Sequence, residues 1–368
     1  MKRVTYEKSE YSCLMTKEVY DYYCLKDENA IKQSVDISDS TSCLNSNIDN
    51  EEPLISVVIP THNRVTMLQR ALDSLLCQEY ASLQIVVIDD YSSDQTYDII
   101  QERYSCRGIE IYRNETNMNA GLSRKRGFSH AKGEYIVFMD DDDYYVDKYF
   151  FRKAVKIHKQ YRSLAFVSAN SFIEDTASGG LICSMLNRTG FLDGQTYISC
   201  FQTAIKKPNS TFTSVFNKSI LNQLGFDSMH MMNDSSIYLR SLLLGDAYFM
   251  RDLIGTYVVH GSNISTNLSV DFIIQNLKEK KFVYDFAVET KARELKIEWL
   301  SNQMWVTLKY YLLGNAVNFT DLFALTRWMS ENKIPAEHCL LLFAHYLSGR
   351  AHRFLHTCMT HMRHGATS

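Results

Sequence analysis

Tyr135-Ile136-Val137-Phe138-Met139 is an apolar, β-rich run that ends abruptly in four carboxylates, Asp140, Asp141, Asp142 and Asp143. Such a run reads as a buried strand, so the fold must deliver that charge to the edge of a sheet. Carboxylates side by side repel one another and are costly to bury unless something cationic shares the site. A hard divalent ion does this with oxygen ligands at about 2.0–2.6 Å, completed by water and by the phosphates of a nucleotide. The alternative is a solvated acidic turn; two neighbouring stretches favour the ion.

The first is Ile55-Ser56-Val57-Val58-Ile59, a continuous β-branched run of the kind buried on both faces of a parallel sheet, expected to stop at Pro60. The loop Thr61-His62-Asn63-Arg64 follows, and Leu68, Leu72, Leu75 and Leu76 recur at helical spacing. The second is Gln84-Ile85-Val86-Val87-Ile88, which runs into Asp89-Asp90-Tyr91-Ser92-Ser93-Asp94, with Asp94 placed to cap a helix through Ile99 and Ile100. A short strand at Ile109–Tyr112 and a helix from Leu122 to Ala131 precede the acidic strand. This alternation predicts a doubly wound α/β domain, in which ligands bind outside the carboxyl ends of the strands. No G-x-G-x-x-G and no P-loop is present. Phosphate must be held another way, and a metal on the aspartates supplies it.

With 368 residues the chain is not short of core. Its net charge of −3 argues against general nucleic-acid binding. The nine cysteines form no C-x-x-C pair and no zinc grouping, which predicts reduced, mostly buried thiols and a cytoplasmic setting. No apolar h-region follows Met1–Lys8 and no run approaches the ~18 apolar residues of a membrane span, so any membrane contact is expected to be peripheral.

Six stretches in order resemble the family 2 glycosyltransferases of the GT-A fold. They are Val57-Val58-Ile59-Pro60-Thr61-His62-Asn63-Arg64, Val86–Asp94, Ala131–Asp143, Gly225-Phe226-Asp227, Asn233–Arg240 and Tyr257–Ser265. The resemblance implies a mixed sheet flanked by helices and an inverting, metal-dependent transfer from a nucleotide-diphosphate sugar, a UDP-hexose or UDP-N-acetylhexosamine. It implies a glycan acceptor, lipid-linked, in O-antigen, capsule or exopolysaccharide synthesis at the cytoplasmic face of the inner membrane. Mn2+ or Mg2+ is the implied cofactor.

Residue by residue, the resemblance makes Pro60, Thr61, Asn63, Arg64, Asp90, Arg124, Asp140 and Asp141 the nucleotide-sugar-binding set. Thr61 and Asp90 would face base and ribose, with Asp90 accepting from a uracil N–H. Asp142 would be the direct metal ligand, with Asp140 nearer the ribose or the metal's waters and His260 on the metal or a phosphate. Arg124 would contact the diphosphate, with Arg126 a neighbouring candidate. Asp234 would be the catalytic base; Asn233 stands where the family has a first acid, and the other reading of Asp234 is a helix cap for Ser235–Leu244. A runner-up is a non-catalytic nucleotide-binding or scaffold subunit.

Residues 53–265 form the expected catalytic domain, preceded by an extension and polar linker over 1–52. Within it Leu164–Ser168 reads as a strand, Gly179-Gly180 and Asn187–Gly194 as mobile loop, and Lys206-Lys207 as either a solvated turn or a phosphate contact. Residues 266–368 read as helical, from the spacing of Ile297, Leu300, Met304, Leu308 and Tyr311 to helices over Asp321–Ser330 and Glu337–Ser348. The basic tail, with Arg350, His352, Arg353 and His356, fits an anionic membrane surface, a helical cover on the acceptor side or a homo-oligomer contact.

Overall fold

A computed structural model describes residues 52–229, 232–261, 268–314, 319–332 and 334. The extension, most of the polar linker, Asn263, Ser265, the Glu337–Ser348 helix and the basic tail lie outside the described residues.

The expected strands and helices over the first part of the chain are present: β1 (Ile55–Thr61), α1 (Val65–Leu76), β2 (Leu83–Asp89), α2 (Thr96–Tyr104), β3 (Ile109–Arg113), α3 (Ala120–His130) and β4 (Tyr135–Phe138). Then come β5 (Tyr144–Tyr145), α4 (Phe150–Gln160), β6 (Leu164–Asp175), β7 (Gly180–Ser184), β8 (Gly190–Leu192), α5 (Gly194–Cys200), β9 (Ser214–Asn217), α6 (Lys218–Gln223), α7 (Asp234–Leu244) and β10 (Asp246–Val259). Three helices follow, α8 (Val270–Thr290), α9 (Ile297–Gly314) and α10 (Phe319–Glu331).

The ten strands of the described residues join one mixed sheet in the order β3-β2-β1-β4-β9-β6-β10-β5, with β7 on β6 and β8 on β10. The first four are parallel, and β9 enters antiparallel to both β4 and β6. The period of two along a strand sorts the side chains onto two faces. Ile55, Val57 and Ile59, with Ile85, Val87 and Val137, pack under α1 and α4 against Leu68, Leu72, Phe150 and Phe151. Val58, Val86, Ile88, Ile136 and Phe138 face the other core, which runs through α3, α5 and α7 into α8, α9 and α10. Each fully buried Leu, Ile or Phe contributes about 1.5–3 kcal/mol. On that face α3 approaches the sheet through Gly127, where a Cβ would lie 2.2 Å from Val58 Cγ1.

Several expectations need correction. β1 does not stop at Pro60 but pairs through it to Thr61, opposite Asp89. The Val58 carbonyl accepts from Met139 N at 3.0 Å, so Pro60, two residues on, turns its missing N–H to the side where β4 has already ended. Asp94 sits one residue before the N-cap position of α2, and its Oδ1 accepts from Thr96 N at 3.0 Å. Of the stretches expected as mobile loop, Gly179 lies in a turn and Gly180 opens β7, paired with β6 from Asp175↔Gly180 onward, while Asn187–Gly194 contains β8, paired with β10. The four described cysteines are not buried: Cys77 and Cys200 are half-buried, Cys106 and Cys183 exposed.

Candidate active site

β1, β2 and β4 end together, so the loops behind them share one edge of the sheet. Asp140 to Asp143 turn there before β5 pairs with β10, which carries Tyr257 to the same place and delivers His260 just beyond its end. Helix α7, in the same core as α3, brings Asp234 to it at its first turn.

The four aspartates separate into distinct environments. Asp141 accepts from Thr61 Oγ1 at 2.7 Å and Arg64 Nη1 at 3.1 Å. Burial, opposed by Arg64 and reinforced by Asp142, pushes its carboxyl up to about 7. Asp142 Oδ2 accepts from the same Arg64 nitrogen at 3.0 Å and pairs with His260 Nε2 at 2.8 Å, while Arg70 Nη2 donates to its backbone carbonyl at 2.8 Å. Burial and then Asp140 raise the Asp142 carboxyl, against the His260 bond. Asp143 is fully enclosed: it accepts from Val258 N at 3.2 Å and Ser210 Oγ at 3.1 Å, and burial with the charges of Asp142 and Asp140 holds it well above the usual carboxylate range. Asp140 is the most open and accepts from Arg124 Nη2.

Carboxylate oxygens of Asp140, Asp142 and Asp143 lie within 4.8 Å of one another. The donor set is the all-oxygen kind a hard divalent ion takes, and the mutual repulsion that lifts Asp142 and Asp143 is what such an ion would relieve. Asp143 is the most enclosed of the three, held between Val258 N and Ser210 Oγ, which leaves Asp140 and Asp142 as the outward pair. His260 now binds Asp142 through Nε2. To ligate through that nitrogen it would have to present a lone pair instead of a proton.

Asp90 is buried at the loop after β2. Its Oδ1 accepts from Asn114 Nδ2 at 2.7 Å and Met118 N at 2.8 Å, and its Oδ2 from Asn119 N at 2.8 Å. One acceptor position on Oδ2 remains. His62 Nδ1 donates to the Asp90 carbonyl at 2.8 Å, leaving Nε2 to accept from Asn63 Nδ2 at 3.0 Å. Asn63 adopts φ 55°, and its Oδ1 accepts from Ser93 N at 2.7 Å and Asp94 N at 3.2 Å, tying the β1 loop to the β2 loop. Pro60 lies within β1 rather than in this loop.

Arg124 reaches the centre from α3. Besides Asp140 it donates through Nη1 to Met232 O at 2.9 Å, and the same nitrogen is 4.0 Å from Asp234 Oδ1. Arg126 points elsewhere, to Arg113 O and Asn114 Oδ1, both at 2.6 Å. Asn233, not Asp234, caps α7: its side chain accepts from Ser236 N at 2.9 Å. Asp234, at the first helical position, turns its carboxylate toward Arg124 and, at 3.7 Å, Lys207 Nζ.

The sequence assigns no role to Arg70, Ser210 or Tyr257. Arg70 stacks its guanidinium 4.4 Å over Tyr144 and holds the acidic turn by its backbone. Tyr257 is half-buried, and burial with the charges of Asp143 and Asp234 raises its hydroxyl. Nothing in the spacing marks these residues.

Comparison with known proteins gives relatives of one kind. The chain is 29% identical over 188 residues to the GalNAc(5)-diNAcBac-PP-undecaprenol beta-1,3-glucosyltransferase of Campylobacter jejuni, a match covering 50% of this chain and 59% of that protein, less than two thirds of its length. It is 28% identical over 227 residues, 61% of this chain and 84% of the other, to the UDP-Glc:alpha-D-GlcNAc-diphosphoundecaprenol beta-1,3-glucosyltransferase WfaP of Escherichia coli. Among solved structures, residues 1–349 of S. aureus TarS in complex with UDP-GlcNAc superpose with a TM-score of 0.59 at 18% identity, over 80% of this chain and 89% of that one. That likeness shows the GT-A fold, with a helical region after the sheet. The family description "Glycosyl transferase family 2" matches residues 56–243, from β1 through the acidic turn to α7 and just over half of the chain, and the protein therefore belongs to glycosyl transferase family 2.

Proposed function

We propose that this protein is an inverting glycosyltransferase that moves a hexosyl or N-acetylhexosaminyl group from a UDP-sugar to a hydroxyl of a lipid-linked glycan. The observation that carries the reading is Arg124, which joins Asp140 on one side and faces Asp234 on the other. One cation thus stands between the acidic turn, where a diphosphate would sit, and a carboxylate that takes no hydrogen bond from the other described residues. The two undecaprenol-linked relatives support the acceptor class, and the oxygen donor set supports Mn2+ or Mg2+ held by Asp140 and Asp142.

When bound, the ion neutralises charge on the diphosphate. The chain's own residues do the rest. Thr61, Arg64, Asp90 and Asp141 line the nucleotide side, where Arg64 and Thr61 fix the Asp141 carboxylate. The acceptor oxygen attacks the anomeric carbon, the bond from that carbon to the diphosphate oxygen breaks, and the acceptor proton passes to Asp234. Arg124 stabilises the leaving charge without moving. Attack from the face opposite the leaving group inverts the centre, so an α-linked donor gives a β-linked product. Base assistance of this kind contributes about 10²–10⁴ in rate.

No described helix is long and apolar enough to cross a membrane. An undecaprenol-type acceptor would then be met at the cytoplasmic face of the inner membrane by peripheral contact, in O-antigen, capsule or related polysaccharide synthesis. Asn233 was the one feature that favoured a non-catalytic subunit, and its capping bond to Ser236 gives it another reason to be there.

The test is turnover of UDP-, GDP- and dTDP-sugars with manganese or magnesium, with and without chelator, for wild type, Asp142→Ala and Asp234→Asn. Release of one nucleoside diphosphate that is chelator-sensitive and lost in Asp142→Ala supports the reading. Absence of both turnover and metal-dependent UDP binding overturns it.

A further inference from the structure

The loop between α5 and β9 presents two adjacent lysines that behave differently. Lys206 is exposed, with Nζ 3.4 Å from Met185 O. Lys207 is turned inward, its side chain 19% exposed. Its ammonium donates to Pro208 O at 2.8 Å and Asn209 O at 3.1 Å, and Nζ lies 3.7 Å from Asp234 Oδ2. An ammonium carries three protons. Two are spent on the loop's own carbonyls, which fixes the ammonium beside the carboxylate without a hydrogen bond to it.

Asp234 is therefore flanked by two cations on different oxygens, Arg124 at Oδ1 and Lys207 at Oδ2, at 4.0 and 3.7 Å. Both distances exceed a hydrogen bond, so each charge acts without occupying a lone pair that an acceptor hydroxyl needs. Both cations are anchored elsewhere, Arg124 on Asp140 and Met232 O, Lys207 on its own loop. That loop is fastened along its length: Gln202 takes φ 56°, its side chain accepts from Ser235 Oγ at 3.4 Å, Lys206 N donates to Asn187 Oδ1 at 2.9 Å and Asn209 Nδ2 to Ser171 Oγ at 3.2 Å.

We propose that Lys207 is a positioning residue for the transfer, holding the Asp234 carboxylate in place from the side opposite Arg124. The proposal rests on the reading of Asp234 as the base. It also makes the 201–209 loop part of the acceptor side, because moving the loop would withdraw one of the two charges from the base. The charged and titratable groups facing Asp234 are Arg124 from α3, Lys207 from the loop, Tyr238 from its own helix and Tyr257 from β10.

The experiment compares the full chain as wild type, Lys207→Met, Lys207→Arg, Lys206→Met and Asp234→Asn. With the donor that turns over, Lys207→Met should lose about tenfold in kcat with metal-dependent UDP binding unchanged, and Lys207→Arg should recover most of that loss. Lys206→Met should match wild type. A wild-type kcat in folded Lys207→Met overturns the proposal, as does a loss of kcat that Lys207→Arg does not recover, since a merely structural lysine would behave so. Should Lys207→Met not fold, Lys207→Gln is read in the same assay. Near-wild-type turnover in Asp234→Asn would instead sink the base reading itself, whatever Lys207 does.

Discussion

Asn233 accepts the Ser236 amide at 2.9 Å and so releases Asp234, the next residue, from capping α7. The two side chains divide what either acid could have done alone. Asn233→Ala should cost about 1 kcal/mol of stability, the usual value of an N-cap, while the folded fraction keeps its kcat. Asp234→Asn should do the reverse, with an unchanged thermal midpoint and a kcat lower by about 10²–10⁴. Thermal melts and initial rates on both variants check this; equal destabilisation by the two would mean that Asp234 shares the cap.

Asp140, Asp142 and Asp143 repel one another in a buried turn, with Arg64, Arg124 and His260 as partial compensation. Manganese added to the purified protein should therefore raise its melting temperature, by an amount that grows with the logarithm of metal concentration above the dissociation constant. Chelator should reverse the shift and Asp142→Asn should abolish it. A melting temperature indifferent to manganese and magnesium, in wild type as in the variant, would remove the ion from the site without any reference to activity.

Arg240 ties α7, which carries Asp234, to α8. Its Nε and Nη2 meet the Glu279 carboxylate at 2.9 and 3.2 Å, Nη1 donates to Leu224 O at 2.8 Å, and the guanidinium lies 3.9 Å over Phe282. Both side chains are only 1% exposed. Removing one partner strands the other charge in the core, so Arg240→Met or Glu279→Gln should each cost about 3–5 kcal/mol. The double replacement should cost less than the sum of the two. Urea unfolding of the four proteins forms the cycle, and simple additivity would mean the pair is not coupled.

The same helix shows where the sequence stops being readable. β1, β2 and β4 are covered on both faces, so their apolar runs are unbroken and their carboxyl ends could be located from composition alone. α8 lies in the region that reads as helical but has no bounds of its own there, because its buried face mixes Asn276, Glu279 and Lys280 with the apolar residues. Lys280, for instance, donates to Gln303 O at 2.7 Å. β7 and β8 carry Gly, Ser and Cys on half-exposed edges, so their pairing is set by β6 and β10 and not by their own pattern. At the site, Thr61, Arg64, Arg124, Asp140–Asp143, Asp234 and His260 do converge. What spacing could not say is which neighbour does which task, as with Asn233 against Asp234 or Arg124 against Arg126. Nor could it find Ser210 and Arg70, whose hydrogen bonds depend on loops meeting across more than sixty residues.

His158 gives a prediction on the opposite side of the sheet from the C-terminal helices. It lies in α4, nearly fully enclosed, with Nε2 donating to Val215 O at 2.8 Å and its ring 4.6 Å from that of Tyr135. Burial pushes its pKa down to about 4, against the small opposite effect of the Val215 carbonyl. An unfolded chain takes up this proton near pH ~6.5, well before the folded one does. Above that pH neither state binds it and stability is unaffected. As pH falls from there toward about 4, only the unfolded state gains the proton, so the wild-type protein loses stability on the order of 1 kcal/mol per pH unit from this group. His158→Gln keeps a donor for Val215 O and does not titrate. The variant should be the weaker protein at neutral pH but should lose less on acidification, so that the two urea-midpoint curves converge. The carboxylates of the acidic turn titrate in both proteins and drop out of the difference. Parallel curves would mean that His158 takes up its proton as readily folded as unfolded, and the enclosed geometry at Val215 would then need a second acceptor.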